Sequence, residues 1–363
     1  PGEVVATLTT DNNGASTFAD TLPYGSYTIS EATPSSGYYL SDEQKQVSIR
    51  EQGLLNTDFT GAAAFRATVI KGGISGSALD AETLCAQPLG RACIAGAQFS
   101  VINTSAYPVW VQGVKIGVGE PCLALTTDYN GTVQSSVDSL PVGSYTLKLT
   151  SAPKGYERPA ESTWSFNICA EGYTSVTASD GGAVYLPVIR GDITLTKTSE
   201  DGPLANVPYR ITSKTTGESH IVITDEQGIA STSADHARHS ENTNANDSAG
   251  SDTYTAYAGV WFGAYNGGST APNDARGALP YDAYLVEELP CPANEGCELD
   301  VIDNVSINEP TSPQISLTHP QATVTTYPSL ETSPTDASGG ILPYAPGQSE
   351  LPATVRYDGL VPG

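Results

Sequence analysis

Leu140-Pro141-Val142-Gly143-Ser144-Tyr145-Thr146-Leu147-Lys148-Leu149 is a turn followed by a strand. Proline presets φ and glycine supplies freedom, so Leu-Pro-x-Gly reads as a turn. Tyr-Thr-Leu-Lys-Leu then alternates sides with the period of two expected of a half-buried strand. Pro153 ends it. Upstream, Thr127-Asp128-Tyr129-Asn130-Gly131 reads as a tight hairpin turn whose glycine takes positive φ. The same pair of signals recurs twice. One copy has Thr10-Asp11-Asn12-Asn13-Gly14 and Leu22-Pro23-Tyr24-Gly25-Ser26-Tyr27-Thr28-Ile29-Ser30-Glu31. Another has Thr224-Asp225-Glu226-Gln227-Gly228 and Leu279-Pro280-Tyr281-Asp282-Ala283-Tyr284-Leu285-Val286-Glu287-Glu288. Internal repetition of this kind defines the architecture. Nothing reads as a long amphipathic helix, so an all-β chain of tandem antiparallel β-sandwiches in an elongated array is expected.

The copies set the borders. Phe65-Arg66-Ala67-Thr68-Val69-Ile70-Lys71 matches Ile189-Arg190-Gly191-Asp192-Ile193-Thr194-Leu195-Thr196-Lys197, each a first strand ending in lysine. Residues 65–189 then form one sandwich with four cysteines, and 190–316 a second with a long insert. Residues 1–64 hold the later strands of a sandwich whose start is missing, with an exposed sheet edge. Residues 317–363 are rich in Pro, Ser, Thr and Gly and read as a linker and the start of a following repeat. With no methionine and no signal or transmembrane stretch, the chain is expected to be an internal piece of a longer protein.

The 363 residues contain 40 acidic and 16 basic side chains, a net charge of −24. That balance opposes nucleic-acid binding and adsorption to anionic membranes, so neither partner is expected. Cys85, Cys93, Cys122, Cys169, Cys291 and Cys297 are even in number and lack a C-x-x-C arrangement, which favours disulfides and an oxidising exterior. Pairings Cys85–Cys93 and Cys122–Cys169 are preferred in the second sandwich, with Cys291 and Cys297 stapling the turn after Glu288.

The lysine-bearing first strand, Pro203-Leu204-Ala205-Asn206-Val207-Pro208-Tyr209-Arg210-Ile211, the Thr-Asp-x-x-Gly turn and the Tyr-x-x-x-Glu strand together resemble the collagen-adhesin B-type domains. These are also called SpaA-type or prealbumin-like pilin domains, and belong to Gram-positive surface proteins. The resemblance spans about 1–316. The tail Thr354-Val355-Arg356-Tyr357-Asp358-Gly359-Leu360-Val361-Pro362-Gly363 resembles the opening of a VaFE repeat. In this family many domains carry an intramolecular isopeptide bond. The resemblance implies a lysine nucleophile, an Asn or Asp electrophile and a glutamate proton shuttle. It points to Lys197 and Glu288, with Asn308 preferred to Asn304 as the partner. A lysine in an apolar core has a lowered pKa and attacks as the neutral amine. The second sandwich has Lys71, but Leu149 stands where Glu is needed, so no bond is expected there. The first keeps Glu31 but lacks its lysine strand.

Other constellations favour no site. His236-x-x-His239 reads as solvated loop histidines, and no metal or cofactor is expected. Asp11-Asn12-Asn13-Gly14 lacks the remaining calcium ligands. No phosphate loop or hydrolase elbow occurs. Trp110 and Trp164 suit sheet positions, whereas Trp261 lies in the long insert and is the first candidate for a contact surface. A glycoside hydrolase needs two carboxylates across one cleft, but the repeat scatters its carboxylates over similar domains, so no enzyme is expected. The expectation is a structural stalk segment of a bacterial cell-surface adhesin or pilin-like protein, extracellular and wall-attached through an anchor elsewhere. The rival is a module that binds a host extracellular protein or glycan through the insert of 190–316.

Overall fold

The computed structural model describes residues 2–17, 22–52, 59–176, 183–241, 257–295, 297–309 and 313–318. Among these every regular element is a strand except two short 3-10 turns. In the first domain β1 (Gly25–Ser30) and β2 (Gln44–Ile49) pair antiparallel. Their alternating residues are only half-buried, as in a sheet covered on one side.

The second domain contains β3 (Lys71–Asp80), β4 (Gln98–Asn103), β5 (Val109–Val111), β6 (Val114–Ile116), β7 (Pro121–Thr126), β8 (Thr132–Gln134), β9 (Leu140–Pro141), β10 (Gly143–Ser151), β11 (Thr163–Ile168), β12 (Tyr173–Val176) and β13 (Val184–Leu186). One sheet runs β11-β10-β4-β7, and the facing sheet is built on β3 with β8, β9, β12 and β13. Between them lies a core including Ile74, Phe99, Tyr145, Leu147, Leu149 and Trp164. The β5–β6 hairpin is an insertion that leaves Trp110 61% exposed.

The third domain repeats the plan with β14 (Arg190–Gly191), β15 (Thr194–Ser199), β16 (Gly202–Pro203), β17 (Pro208–Ser213), β18 (Ser219–Ile223), β19 (Ile229–Ser231), β20 (Ala264–Tyr265), β21 (Gly268–Ser269), β22 (Leu279–Pro280), β23 (Asp282–Glu288), β24 (Val301–Ile307) and β25 (Gln314–Thr318). Its sheet β18-β17-β23-β24 faces the group β16, β15, β19 and β25. The strand β25 runs parallel to β15, as β13 does to β3. It carries the third domain beyond the expected border at residue 316. The expected linker and repeat start otherwise lie outside the described residues.

The turn reading rests on geometry shared by all three copies. Tyr27, Tyr145 and Tyr284 each donate the hydroxyl to the carbonyl of the proline four residues before, at 2.7, 2.8 and 2.7 Å. Gly131 and Gly228 hold φ of +73° and +72°. A Cβ there would stand 2.0 Å from the Ala78 carbonyl oxygen and 2.3 Å from that of Lys197, so only glycine closes these turns.

The insert is not an exposed appendage. Val260 and Phe262 lie in the third core, and Trp261 is 2% exposed, so the expected contact surface at Trp261 is corrected. Its indole donates to Thr270, and the Arg190 guanidinium lies 3.8 Å from the ring centroid. His239 is also buried, packed on Trp261 and set between the Asn273 and Thr232 carbonyls, rather than solvated.

Candidate functional site: a buried lysine with two carboxylates

Lys197 sits in the middle of β15 and is 1% exposed. Alternation on β15 points Leu195 and Lys197 into the core. Its Nζ lies 2.6 Å from Asp300 Oδ2 and 3.0 Å from Glu288 Oε2. Glu288 ends β23, and Asp300 immediately precedes the neighbouring β24. The Asp300 amide donates to Glu288 Oε2 at 3.1 Å. Glu288 Oε1 accepts from the Asn294 side-chain amide at 2.9 Å. Asn294 is held in turn by the Leu289 carbonyl and the Cys291 amide. A single cation thus faces two carboxyls in a nearly dry site.

The two carboxyls are driven apart. Burial pushes Glu288 up, but hydrogen bonds from Asn294, the Asp300 amide and Lys197 outweigh it and hold the group below the usual carboxylate range. Asp300 is pushed up, chiefly by burial and also by its contact with Glu288, against the pull of Lys197. Environments that separate paired carboxyls in this way assign their acid and base roles. The surroundings therefore favour the charged form of Glu288 and shift Asp300 toward its protonated form. The Tyr209 hydroxyl completes the surroundings. Tyr209 is the cross-strand partner of Glu288, is fully buried, and finds no hydrogen-bond partner among the described residues.

Asn308 and Asn304, the expected partners, are both exposed, and Asn304 bonds Lys214 instead. The side chain beside Lys197 Nζ is instead Asp300, a carboxyl in the turn before β24 rather than an amide near the end of the domain. Lys71 is likewise not the counterpart of Lys197. The Ala78 amide donates to Gly131 O as the Lys197 amide donates to Gly228 O, at 2.7 and 2.8 Å. Leu149 N bonds Ser162 O as Glu288 N bonds Asp300 O, both at 2.8 Å. Phe99 pairs with Leu149 as Tyr209 pairs with Glu288. The second domain therefore has Ala78, Leu149, Ser162 and Phe99 where the third has Lys197, Glu288, Asp300 and Tyr209. In the first domain Glu31 accepts the Ser41 amide at 2.7 Å, so serine again stands in the Asp300 position.

All six cysteines are thiols in this structure. Cys122 lies on β7 and Cys169 directly follows β11, at opposite edges of one four-stranded sheet. Three strand spacings of about 4.8 Å separate them, beyond the Cα reach of about 7 Å for a disulfide. The Cys122–Cys169 pairing is corrected on that ground. Cys85 and Cys93 both lie near Tyr156, and Cys291 and Cys297 line one cleft with Asn294. No group of three or more metal-ligating side chains occurs among the described residues.

Residues 2–62 and 90–182 match the SpaA family, a prealbumin-like fold domain. No curated protein is a significant match to the chain. Among solved structures, the Bacillus anthracis TIE protein aligns at 19% identity and a TM-score of 0.49, over 86% of this chain and 44% of its own. This chain thus spans less than half the length of that protein. BcpA, the major pilin subunit of Bacillus cereus, aligns at 13% identity and a TM-score of 0.28, over 85% and 92%. A streptococcal ancillary pilin aligns at 12% identity and 0.26, over 81% and 76%.

Proposed function

We propose, from the premise that residues 2–62 and 90–182 are SpaA-type domains, that this chain is a load-bearing stalk segment of a bacterial cell-surface protein. The observation that carries this reading is the junction between the second and third domains. Tyr281 of the third domain is packed into the core of the second, and its amide donates to Ile189 O at 2.8 Å. Arg190, at the start of the third domain, makes a two-pronged bond to Glu82 of the second, at 2.9 and 2.7 Å. The same guanidinium donates to the Ala278 carbonyl at 2.8 Å. Arg276 adds a bond to the Val188 carbonyl. Bidentate guanidinium pairs are directional as well as strong, so this joint resists bending. Force spectroscopy on the full chain tests the reading. A joint that yields before either domain unfolds argues against it.

The second element of the proposal is a covalent brace between Lys197 and Asp300. Glu288 takes a proton from the Lys197 ammonium, and the neutral amine attacks the carboxyl carbon of protonated Asp300. The C–N bond forms, the C–OH bond breaks, and the hydroxyl leaves as water with the second Nζ proton. Glu288 keeps the first. The reaction runs once per molecule, so it is maturation without turnover. Intact mass of the full chain is expected to fall short by one water, with a cross-linked peptide joining Lys197 to Asp300. An unshortened mass rejects the brace and leaves a buried ion cluster. Disulfides Cys85–Cys93 and Cys291–Cys297 belong to the same reading, and thiol labelling of all six cysteines in protein matured under oxidising conditions would overturn them. The stalk is proposed to be extracellular and wall-attached, and its ends to meet further modules or a host surface.

A further inference from the structure

We infer that the Tyr209 hydroxyl is the oxyanion donor of the cross-linking site, serving the charge that develops on Asp300 during amide formation. The inference rests on the proposed Lys197–Asp300 reaction. A buried hydroxyl without a partner is costly, and a core tyrosine normally finds one. Tyr145, Tyr156 and Tyr284 show this, each donating to a carbonyl or carboxyl oxygen at 2.7 to 2.9 Å. Tyr209 is the exception: it is fully buried, and its Oη is unpaired among the described residues. It stands opposite Glu288 across the β17–β23 ladder. Burial raises its pKa, and the negative charge carried by the Glu288–Asp300 pair raises it further.

The second observation comes from the neighbouring domain. There the reactive lysine, glutamate and aspartate are Ala78, Leu149 and Ser162, and the ring opposite Leu149 is Phe99. Phe99 is 1% exposed and fills the same place without a hydroxyl. The fold therefore needs the ring and not the oxygen, and the oxygen accompanies the reactive groups. When Nζ attacks, the electron pair of the Asp300 C=O bond moves onto its oxygen. A donor idle in the ground state and satisfied only by that charge lowers the barrier without stabilising the reactant. The pair returns as water leaves, and the hydroxyl is again idle.

Tyr209→Phe separates a structural role from a chemical one, because the variant has the residue that the second domain already uses. The full chain is synthesised in a cell-free system and its loss of water followed by intact mass. The variant is expected to cross-link roughly 100-fold more slowly, while its thermal midpoint in a Lys197→Ala background is unchanged or raised. Cross-linking of Tyr209→Phe at the parental rate overturns the inference and leaves the brace standing. A parental chain that never loses water overturns both. A variant both slower and less stable in the Lys197→Ala background assigns Tyr209 to packing and also overturns the inference.

Discussion

The second and third domains share a frame and differ in what fills one place in it. The same glycine turn, the same tyrosine-to-proline bond and the same strand order recur in both. At the matching core site one holds Ala78, Leu149 and Phe99, and the other holds Lys197, Glu288 and Tyr209. The sandwich therefore closes without any polar cluster. A buried lysine between two carboxyls is expensive to desolvate and is weak evidence for stability by itself. Its presence in one domain and absence in the next is what the proposed cross-link would account for.

The largest expected effect breaks that comparison from the third domain. Lys197→Ala abolishes the water loss and removes a covalent loop of about 100 residues, destabilising the domain by about 4–5 kcal/mol in the chain-entropy model. Denaturant unfolding should show the second domain unaffected. Arg190→Ala strips the joint, leaves Glu82 without its guanidinium, and is expected to cost about 3–5 kcal/mol, the usual penalty for orphaning a buried partner. Calorimetry checks whether the two domains then melt separately. A subtler variant gives the third domain the apolar set of the second: Lys197→Ala with Glu288→Leu, Asp300→Ser and Tyr209→Phe. With no carboxyl left stranded, it should regain about 1–4 kcal/mol relative to Lys197→Ala alone. No recovery would mean that the two cores are less alike than their ladders.

The smallest effect lies in the second domain. Burial raises the pKa of Asp80, against hydrogen bonds from the Thr83 and Glu82 amides and the Tyr156 hydroxyl. The folded state then holds this proton more tightly than the unfolded chain does. Its contribution is full below the ordinary Asp range and is lost as pH rises through the folded value. Asp80→Asn should flatten that slope in unfolding measured across mildly acid pH, and a slope unchanged in the variant would reassign it to another group.

The frame was legible because turns and alternation are local. Leu-Pro-x-Gly-x-Tyr and Asp-x-x-Gly announce themselves within a few residues, and each closes the geometry it implies. Glu288 was legible for the same reason, lying at a fixed distance from Tyr284. Asp300 was not, because it follows an irregular turn where no period applies, and its proximity to Lys197 exists only across the sandwich. Lys71 misled for a related reason. The strand β3 is ten residues long, and the reactive register falls at Ala78 rather than at its lysine. Trp261 suggested a contact surface because it lies in a long insert, and nothing local shows that Val260, Trp261 and Phe262 turn back into the protein interior.

The strand β25 pairs with β15 along five residues, yet it follows Asp300 in the chain. With Lys197 joined to Asp300, a pull applied downstream of Thr318 bypasses residues 198–299 altogether. Downstream of Asp300 only β24 and β25 remain outside the closed ring, held by ladder hydrogen bonds and by the core packing of Ile302, Val305, Ile307, Ile315 and Leu317. Under tension they would peel first, lengthen the tether by a fixed increment, and rejoin when the load is released. The domain would thereby combine a soft, reversible give with an inextensible stop.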